Sequence, residues 1–255
     1  MSYKILQITD THLFDSPEKK MFGISTNEKF ILTIDFIKKK KINFDSVFLT
    51  GDISQDETRA SYEIIADSLS FFEKNIYWIS GNHDNFKLMQ SVFSKYEFFK
   101  HKNIFSAFFV NWNFIFIDTT ITGKDSGYLT KSSLESLSKN LDETNKNTFT
   151  ALVMHHHPVV VGTPLIDNFI LENNKDLWEL LRKSQKEIKF IMCGHVHGNY
   201  DISINNTRVI SSPATCLQWK KGANKLLIDE VSGFTMWEIY PNGKYEYENF
   251  FISIN

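Results

Sequence analysis

The sequence has only two cysteines in 255 residues, Cys193 and Cys216, and they show no CxxC spacing. This scarcity excludes a disulfide-stapled secreted domain and a cysteine-rich structural zinc site. The chain also lacks a run of 18 apolar residues, the length that a membrane-spanning helix needs. The start MSYKILQITD has no basic-then-apolar signal region. We therefore expect a soluble, cytoplasmic protein in a reducing compartment.

Neither sign of charge is in excess, because 28 Lys and Arg stand against 30 Asp and Glu, for a formal net charge of −2. Proteins that bind duplex nucleic acid usually carry a basic surplus, so we expect no such partner and no membrane partner. Core material is plentiful, with 23 phenylalanines. A chain of this length buries roughly three quarters of its unfolded surface, so it needs no covalent staples to fold.

Strand-like and helix-like patterns alternate through the first eighty residues. Residues 3–9, 45–50 and 75–80 form short apolar runs typical of buried strands. Residues 27–41 and 57–74 carry apolar side chains at helical spacing, with Asn27 as the predicted N-cap of the first helix. This alternation predicts parallel strands joined by helical crossovers.

The pattern continues in the second half of the chain. A strand from Ile104 and another from Trp112 flank a turn at Asn111, and further strands are predicted at 148–154 and 188–193. Helices are predicted at 131–145 and 175–186. From about residue 200 the chain looks all-β, with a hairpin at Asn242-Gly243. We expect one α/β domain over residues 1–255, with two sheets packed face to face and helices outside.

Every metal-capable motif follows a predicted strand. Ligands in open α/β sheets gather at the carboxyl ends of strands, so five loops are expected to bring their polar side chains to one rim. Seven of the eight histidines lie in these loops, and only His101 lies elsewhere. The residues concerned are Asp10, His12, Asp52, Asn82, His83, Asp84, His155, His156, His157, His195 and His197.

The donor chemistry of these loops is mixed: carboxylate, imidazole and amide, without thiolate. This set suits Mn²⁺, Fe or Zn²⁺ in a catalytic role. Seven candidate ligands exceed what one ion needs, but two ions that share a carboxylate can use them. A pair of metals about 3.5–4 Å apart is the arrangement that supports in-line phosphoryl displacement.

The order of the motifs resembles that of the calcineurin-like metallophosphoesterase family. The shared features are Asp10-x-His12, Gly51-Asp52, Gly81-Asn82-His83-Asp84, His155 and Gly194-His195-x-His197. The stretches LQITDTHLF, VMHHHPVVVGTPLID, CGHVHGNYD and SSPATCLQWK are similar to those of the bacterial class III 3′,5′-cyclic AMP phosphodiesterases. The resemblance implies a four-layer α-β-β-α sandwich in which two mixed sheets are flanked by helices.

The resemblance also implies a role for each site residue. Asp10, His12 and His197 are expected to hold one metal, Asn82, His155 and His195 the other, and Asp52 to bridge the two. His83 is expected to contact the substrate phosphate and the leaving oxygen, with Asp84 orienting it. The expected phosphate-contacting set is His12, Asp52, Asn82, His83 and His197. His155 is the predicted ligand because it directly follows Met154, and His156 and His157 are assigned supporting or packing roles.

The activity implied is hydrolysis of 3′,5′-cyclic AMP to 5′-AMP through in-line attack by a metal-bridging hydroxide. The implied cofactors are two divalent or trivalent metal ions, foremost Fe or Mn, with Zn as a further option. Other enzymes remain open on the same core: a general or 2′,3′-cyclic phosphodiesterase, a phosphomonoesterase, a lipid-pyrophosphate hydrolase or a nuclease. A non-catalytic binding module is a third possibility, disfavoured because all seven ligands and His83 are present.

Two questions stay open in the sequence. Phe14, Tyr200 and Trp219 are candidates for contact with adenine, although core or rim packing is favoured for each. The aromatic alternation of the C-terminal hairpin fits pairing across a dimer or an inner strand of a sheet, and the second reading is favoured. The sequence allows a monomer or a homodimer.

Overall fold

The computed structural model describes residues 1–100 and 105–253. His101 and the start of the strand predicted from Ile104 lie outside the described residues. Strands make up most of the regular structure. Their bounds are β1 (Tyr3–Ile8), β2 (Ser46–Thr50), β3 (Asn75–Ile79), β4 (Phe99–Lys100), β5 (Phe105–Phe109), β6 (Trp112–Ile117), β7 (Phe149–Met154), β8 (Ile188–Cys193), β9 (Asp201–Ile204), β10 (Thr207–Ser211), β11 (Gln218–Trp219), β12 (Ile228–Asp229), β13 (Ser232–Ile239) and β14 (Tyr245–Ile252).

Helices connect the parallel strands of both halves. The described helices are α1 (Thr26–Lys39), α2 (Arg59–Ser70), α3 (Phe86–Phe93), α4 (Lys131–Glu143), α5 (Pro164–Asp167) and α6 (Asn174–Lys183). None of these helices combines the length and apolarity needed to cross a bilayer.

Two six-stranded sheets form the centre of the molecule. One has the order β14-β13-β1-β2-β3-β4 and the other β5-β6-β7-β8-β10-β9, and each mixes parallel and antiparallel pairs. The inner faces meet in an aromatic-rich core, where Phe48 of the first sheet lies edge-on to Phe114 of the second with ring centroids 5.3 Å apart. Their helices pack on the outer faces, so the predicted four-layer α-β-β-α sandwich is confirmed.

The outer layers follow from the apolar stripe of each helix. Phe30 and Ile34 of α1 and Tyr62 of α2 are buried against Leu49 of β2. On the second sheet, Leu137 of α4 and Leu177 of α6 are buried in the same way. Each such side chain leaves water completely on packing, which contributes about 1.5–3 kcal/mol. Burial on both faces explains why the parallel strands read as continuous apolar runs.

Helix boundaries differ from the prediction at several points. The N-cap of α1 is Ser25, whose side chain accepts the backbone N–H of Glu28 at 3.3 Å, and not Asn27. The amide of Asn27 instead bonds both backbone groups of Phe14, at 2.9 Å each. Helix α3 was not predicted, although Asn85 caps it through the backbone N–H of Leu88. Its eight residues closely follow the motif Gly81-Asn82-His83-Asp84.

From Asp201 onward the described elements are all strands. The hairpin of β13 and β14 turns at Gly243, which adopts a positive φ of 85°. Tyr245 and Tyr247 of β14 pack into the core between the sheets. The prediction that the C-terminal hairpin supplies an inner strand of a sheet is wrong for β14, which forms the edge of the first sheet. It fits β13, which lies inside that sheet.

Candidate metal centre

The predicted ligands lie just beyond the carboxyl ends of β1, β2, β3, β7 and β8. Five of the seven sit in the left-handed region of backbone space, which bulky residues rarely adopt. They are Asp10 (φ 51°), His12 (φ 44°), Asp52 (φ 52°), His195 (φ 67°) and His197 (φ 42°). Strained backbone of this kind persists where the surroundings hold side chains in a required direction. The loops are therefore shaped around the positions of these side chains.

Glycines allow the loops to approach one another. A Cβ on Gly81 would lie 2.1 Å from Oδ1 of Asp52, and a Cβ on Gly51 would lie 2.4 Å from Nδ1 of His155. A Cβ on Gly194 would meet the hydroxyl of Thr9 at 2.1 Å. Any other residue at these positions would push a predicted ligand aside. The strand ends LTGD and ISGN thus resemble each other for a steric reason. Gly51 leaves room for the ring of His155, and Gly81 leaves room for the carboxylate of Asp52.

One group of donor atoms gathers around His12. Its Nε2 lies 3.1 Å from Nε2 of His197 and 3.5 Å from Oδ2 of Asp52. Nε2 of His197 lies 3.4 Å from Oδ1 of Asp10. All four side chains are at least 95% buried. These are the three residues predicted for one metal, together with the predicted bridge.

A second group gathers around Asn82. Its Oδ1 lies 3.2 Å from Nε2 of His155 and 3.1 Å from Nδ1 of His195. Nε2 of His155 lies 3.3 Å from Oδ2 of Asp52. The same carboxylate oxygen of Asp52 therefore faces both groups, and its other oxygen accepts the backbone N–H of His83 at 2.9 Å.

These separations fit two ions. Donors that sit 2.0–2.2 Å from a common ion at tetrahedral to octahedral angles lie about 2.8–3.6 Å from each other. The six separations given above run from 3.1 to 3.5 Å. Four overlapping groups of three side chains also place their ligand atoms within 4.8 Å of one another, and one of these groups includes the thiol of Cys216. The residues present fit a pair of ions that share Oδ2 of Asp52.

The charges of the centre also favour cations. Complete burial opposes the ionised form of Asp52, but the adjoining His155 outweighs this effect and holds the carboxyl pKa well below its usual value. Burial likewise lowers the pKa of His155, yet Asp52 raises it to about 9. Burial lowers the pKa of His12 to about 4, which leaves its ring in the neutral form that binds metals. The carboxylate of Asp52 thus favours a positive charge beside it, which a bound metal ion would supply.

A surrounding layer fixes the ring orientations. Nδ1 of His155 donates to the carbonyl of Thr50 at 2.7 Å, and Nδ1 of His12 donates to the side-chain oxygen of Gln55 at 2.7 Å. Nδ1 of His197 lies 3.6 Å from the thiol of Cys216. Partners on the far nitrogen select the tautomer that turns the near nitrogen toward a metal. Neither Gln55 nor Cys216 was predicted from the sequence as part of the site.

His83 stands at the open side of the centre. Its ring lies 5.0 Å from that of His12, edge to face, and is partly buried like Asn82, whereas the other six predicted ligands are buried. The amide nitrogen of Gln55 lies 3.5 Å from its Nδ1. His83 thus adjoins the metal-facing groups without being enclosed by them, which suits a group that contacts substrate.

Asp84 does not orient the ring of His83, contrary to the prediction. Its carboxylate accepts backbone N–H groups from Ile53, Ser54 and Gly81, at 2.9 to 3.2 Å. Burial, with the nearby charge of Asp52, raises the pKa of Asp84 to about 7. The side chain therefore ties the loop after β2 to the loop after β3. The sequence around Asp84 does not reveal its contacts with Ile53 and Ser54, because these donors lie 31 and 30 positions away.

The other two histidines of the HHHP run have separate environments. His156 is buried and bonds the hydroxyl of Thr119 at 2.7 Å and the carbonyl of Asp125 at 3.2 Å. His157 is buried with Nε2 3.7 Å from a carboxylate oxygen of Asp167, and its ring stacks on that of His195 at 5.6 Å. Both residues pack behind the metal-facing groups.

The three aromatic candidates for base contact have different positions, and the favoured reading of packing fits Phe14 and Tyr200. Trp219 lines the cavity in front of the centre, together with His83 and five predicted ligands. Phe14 packs instead against the small apolar cluster around Cys216, and the hydroxyl of Tyr200 bonds the hydroxyl of Thr163 at 2.6 Å. Of the three, only Trp219 lies among the described lining residues of this cavity.

Residues 3–199 match the calcineurin-like phosphoesterase family, and the chain belongs to it. Among its relatives is the 3′,5′-cyclic adenosine monophosphate phosphodiesterase CpdA of Vibrio vulnificus, 33% identical over 95% of this chain and 88% of that protein. The protein of the same name from Escherichia coli is 30% identical over 94% of this chain and 86% of its own length. A 3′,5′-cyclic-nucleotide phosphodiesterase of Nostoc is 30% identical over 94% and 88%.

The fold recurs in solved structures of low sequence identity. A purple acid phosphatase from yellow lupin superposes with a TM-score of 0.71 at 15% identity, over 98% of this chain and 51% of that one. GAP50 of Plasmodium superposes with a TM-score of 0.66 at 16% identity, over 99% and 84%. These likenesses show a shared fold.

Proposed function

We propose that the protein is a dinuclear-metal phosphodiesterase that hydrolyses 3′,5′-cyclic AMP to 5′-AMP. The observation that carries this proposal is the position of Asp52, whose Oδ2 faces His12 on one side and His155 on the other. The names of the relatives, which match nearly the whole chain, supply the substrate class.

The proposed metal ligands are the two groups described above. Asp10, His12 and His197 would hold one ion, Asn82, His155 and His195 the other, with Asp52 between them. Oxygen and nitrogen donors without thiolate favour Mn or Fe, and Zn fits as well. When bound, the two ions would make a nucleophile available from water at neutral pH and neutralise charge on the phosphoryl oxygens.

The chain itself contributes position and a proton. The backbone N–H of His83 bonds Oδ1 of Asp52, which places the His83 side chain next to the proposed bridge. Its ring borders the cavity and is proposed to contact the phosphate and to protonate the leaving O3′. We propose that His12, Asp52, Asn82 and His197, which line the same cavity, also lie against the bound phosphate. Asp84 acts indirectly by holding two loops together.

Two further points accompany the proposal. We propose one domain for residues 1–255, because β13 and β14 near the end of the chain complete the sheet begun by β1. We also propose that the protein works in the cytoplasm, in keeping with Cys193 and Cys216, which are both free and buried. A monomer or a homodimer is compatible with this function.

The test is a substrate panel on protein reloaded with Mn²⁺: 3′,5′-cyclic AMP, 2′,3′-cyclic AMP, bis-p-nitrophenyl phosphate and p-nitrophenyl phosphate. We expect conversion of 3′,5′-cyclic AMP to 5′-AMP, abolished in Asn82→Ala and retained in the matched surface variant Asn206→Ala. Turnover of the nitrophenyl diester alone would support phosphodiesterase activity but would contradict cyclic AMP as the substrate. Preference for the monoester would favour a phosphomonoesterase.

A further inference from the structure

The cavity in front of the metal centre has two kinds of lining. Its volume is about 320 Å³, and its lining includes His83 and five of the predicted ligands. Seven apolar side chains complete it: Met21, Phe22, Leu165, Ile166, Phe169, Trp219 and Leu226. A phosphate and its ions need only the polar part. The apolar part must therefore face another portion of whatever substrate enters.

Phe22 is the most unusual member of this apolar group. Its side chain is 55% exposed, and its backbone has a positive φ of 52°. Met21 and Ile24 exchange two backbone hydrogen bonds, of 3.0 and 2.9 Å, which makes Phe22-Gly23 the tip of a two-residue turn. With positive φ at both central residues this is a type I′ turn, which favours Asn or Gly and not a bulky aromatic at its first central position.

Buried neighbours hold the turn that carries Phe22 in place. Met21 and Ile24 are more than 90% buried, in a cluster with Cys216 and Leu217. The ring of Phe22 meets the ring of Trp219 edge to face, with centroids 5.7 Å apart. The turn is thus anchored at both ends, and it presents one aromatic ring to solvent at the mouth of the cavity.

Trp219 connects this ring to the metal centre. Its indole stacks on the imidazole of His197 at 4.9 Å with an interplanar angle of 17°. One face of Trp219 is therefore already covered by a predicted ligand. Phe22 contacts Trp219 in turn, so a series of three rings leads from a predicted ligand to the mouth of the cavity.

A second group of apolar residues completes the mouth. Leu226 is 47% exposed, and Leu165 and Phe169 are partly exposed. The backbone N–H of Leu165 bonds the carbonyl of Ala223 at 3.1 Å, which joins α5 to the turn before Leu226. Exposed apolar groups gathered beside a polar centre are typical of a ligand site.

Few groups on this wall can read the edge of a base. Apart from the predicted ligands and His83, the polar lining residues are Gln55 and Asp125. The Gln55 oxygen is already engaged with His12, and Asp125 is exposed to water at the rim. Stacking is therefore the main contact that this wall offers a base, and stacking tolerates any base with a flat face.

We propose that Phe22, beside Trp219 and Leu226, is the platform on which the nucleobase of the substrate stacks. The inference rests on the proposed function and names the residue that holds the base. Because stacking contacts the face of the base and not its edge, the enzyme favours substrates that carry a base but distinguishes poorly between different bases. Cyclic AMP and cyclic GMP are therefore hydrolysed with efficiencies within about tenfold of each other, since base–aromatic stacking is sequence-tolerant.

The test compares cyclic AMP with a base-free analogue, the methyl riboside 3′,5′-cyclic phosphate, on Mn²⁺-loaded protein. Phe22→Ala is expected to raise KM for cyclic AMP and to lower kcat/KM by about tenfold or more, the usual worth of one base stack. The base-free analogue is expected to be hydrolysed as efficiently by the variant as by the wild type. Phe22→Tyr restores cyclic AMP turnover, because it keeps the ring.

Phe71→Ala is the matched control, since Phe71 is 67% exposed and follows α2 at the far end of the sheet from the metal centre. Should Phe22→Ala unfold, as judged by its Tm, Phe22→Leu carries the same expectation, because leucine keeps the apolar bulk and loses the ring. Equal losses on both substrates, or no loss on cyclic AMP, in a folded variant would overturn the proposal. Failure of the wild type itself on cyclic AMP would instead overturn the proposed function.

Discussion

The side-chain oxygen of Gln55 accepts a hydrogen bond of 2.7 Å from Nδ1 of His12. Because an amide oxygen only accepts, the proton of His12 sits on Nδ1, and Nε2 is free to bind a metal. The amide nitrogen of the same residue lies 3.5 Å from Nδ1 of His83. One uncharged side chain thus sets the tautomer of a proposed ligand and also adjoins the proposed proton donor.

Replacing Gln55 by leucine should weaken the ion held by His12 and disturb His83 together. We expect Gln55→Leu to lower the affinity for that metal by roughly 10–100-fold, the usual effect of removing an outer partner of a ligating histidine. Metal titration of the metal-free protein measures this. Gln185→Leu, on the exposed surface after α6, is the control. Unchanged affinity in Gln55→Leu would remove Gln55 from the site.

The thiol of Cys216 should be needed for metal binding in a similar way. Cys216→Ala removes the partner 3.6 Å from Nδ1 of His197, and we expect about a tenfold loss of metal affinity. Cys193→Ala makes a comparable change at a thiol that faces the carbonyl of Ile210, so it controls for the loss of a buried sulfur. Equal metal affinities in the two variants would argue that Cys216 only fills space.

Replacing Asp84 should affect the stability and the metal content of the protein more directly than its turnover. In Asp84→Asn an amide N–H₂ group replaces an oxygen that accepts backbone N–H groups, so the two loops lose part of their tie. We expect the free energy of unfolding to fall by about 1.5–3 kcal/mol, with metal content falling too. Chemical denaturation and metal analysis report these quantities.

The control for Asp84 is Asp167→Asn, because Asp167 also accepts two backbone N–H groups, from Val161 and Gly162, away from the metal-facing atoms. This variant should lose stability and keep its metals. If Asp84→Asn kept full metal content and lost only turnover, a direct catalytic role for Asp84 would replace the one described here.

The loss of activity on removing the His83 side chain should depend on the leaving group of the substrate. His83→Ala is expected to lower kcat strongly, by about 10²–10⁴-fold, when the leaving group is a ribose O3′ that needs a proton. The loss should be small with a nitrophenolate leaving group, which departs without one. Rates of 5′-AMP and nitrophenol release give the comparison. Equal losses on both substrates would show phosphate binding and not proton donation.

Sequence periodicity was sufficient for much of the fold because the parallel strands are buried on both faces. Runs such as residues 47–49 and 190–193 are apolar throughout, and ligand-type residues follow them within three positions. The structure accordingly brings all seven predicted ligands together. The predicted cap at Asn27 is wrong because Ser25, two positions earlier, caps the helix while Asn27 bonds Phe14. Local patterns cannot distinguish two neighbouring cap residues.

Contacts between distant segments account for what the sequence did not reveal. Gln55 and His12 are 43 positions apart, and the role of Gln55 depends on two loops meeting. The sequence suggests Asp84 as a partner of its neighbour His83, yet two of its three donors belong to the loop after β2 and the third is Gly81. Phe22 lies in a segment without periodicity, and only the folded turn shows that its ring borders the cavity.

A titration of metal-free protein with Mn²⁺, followed by hydrolysis of 3′,5′-cyclic AMP, tests the central claim most directly. Two groups of donors that share Oδ2 of Asp52 predict that activity rises until two equivalents of metal are bound per chain and then stays constant. Asp52→Asn should show little activity at any ratio. Full activity at one equivalent, or no 5′-AMP at any metal concentration, would contradict the dinuclear cyclic AMP phosphodiesterase described here.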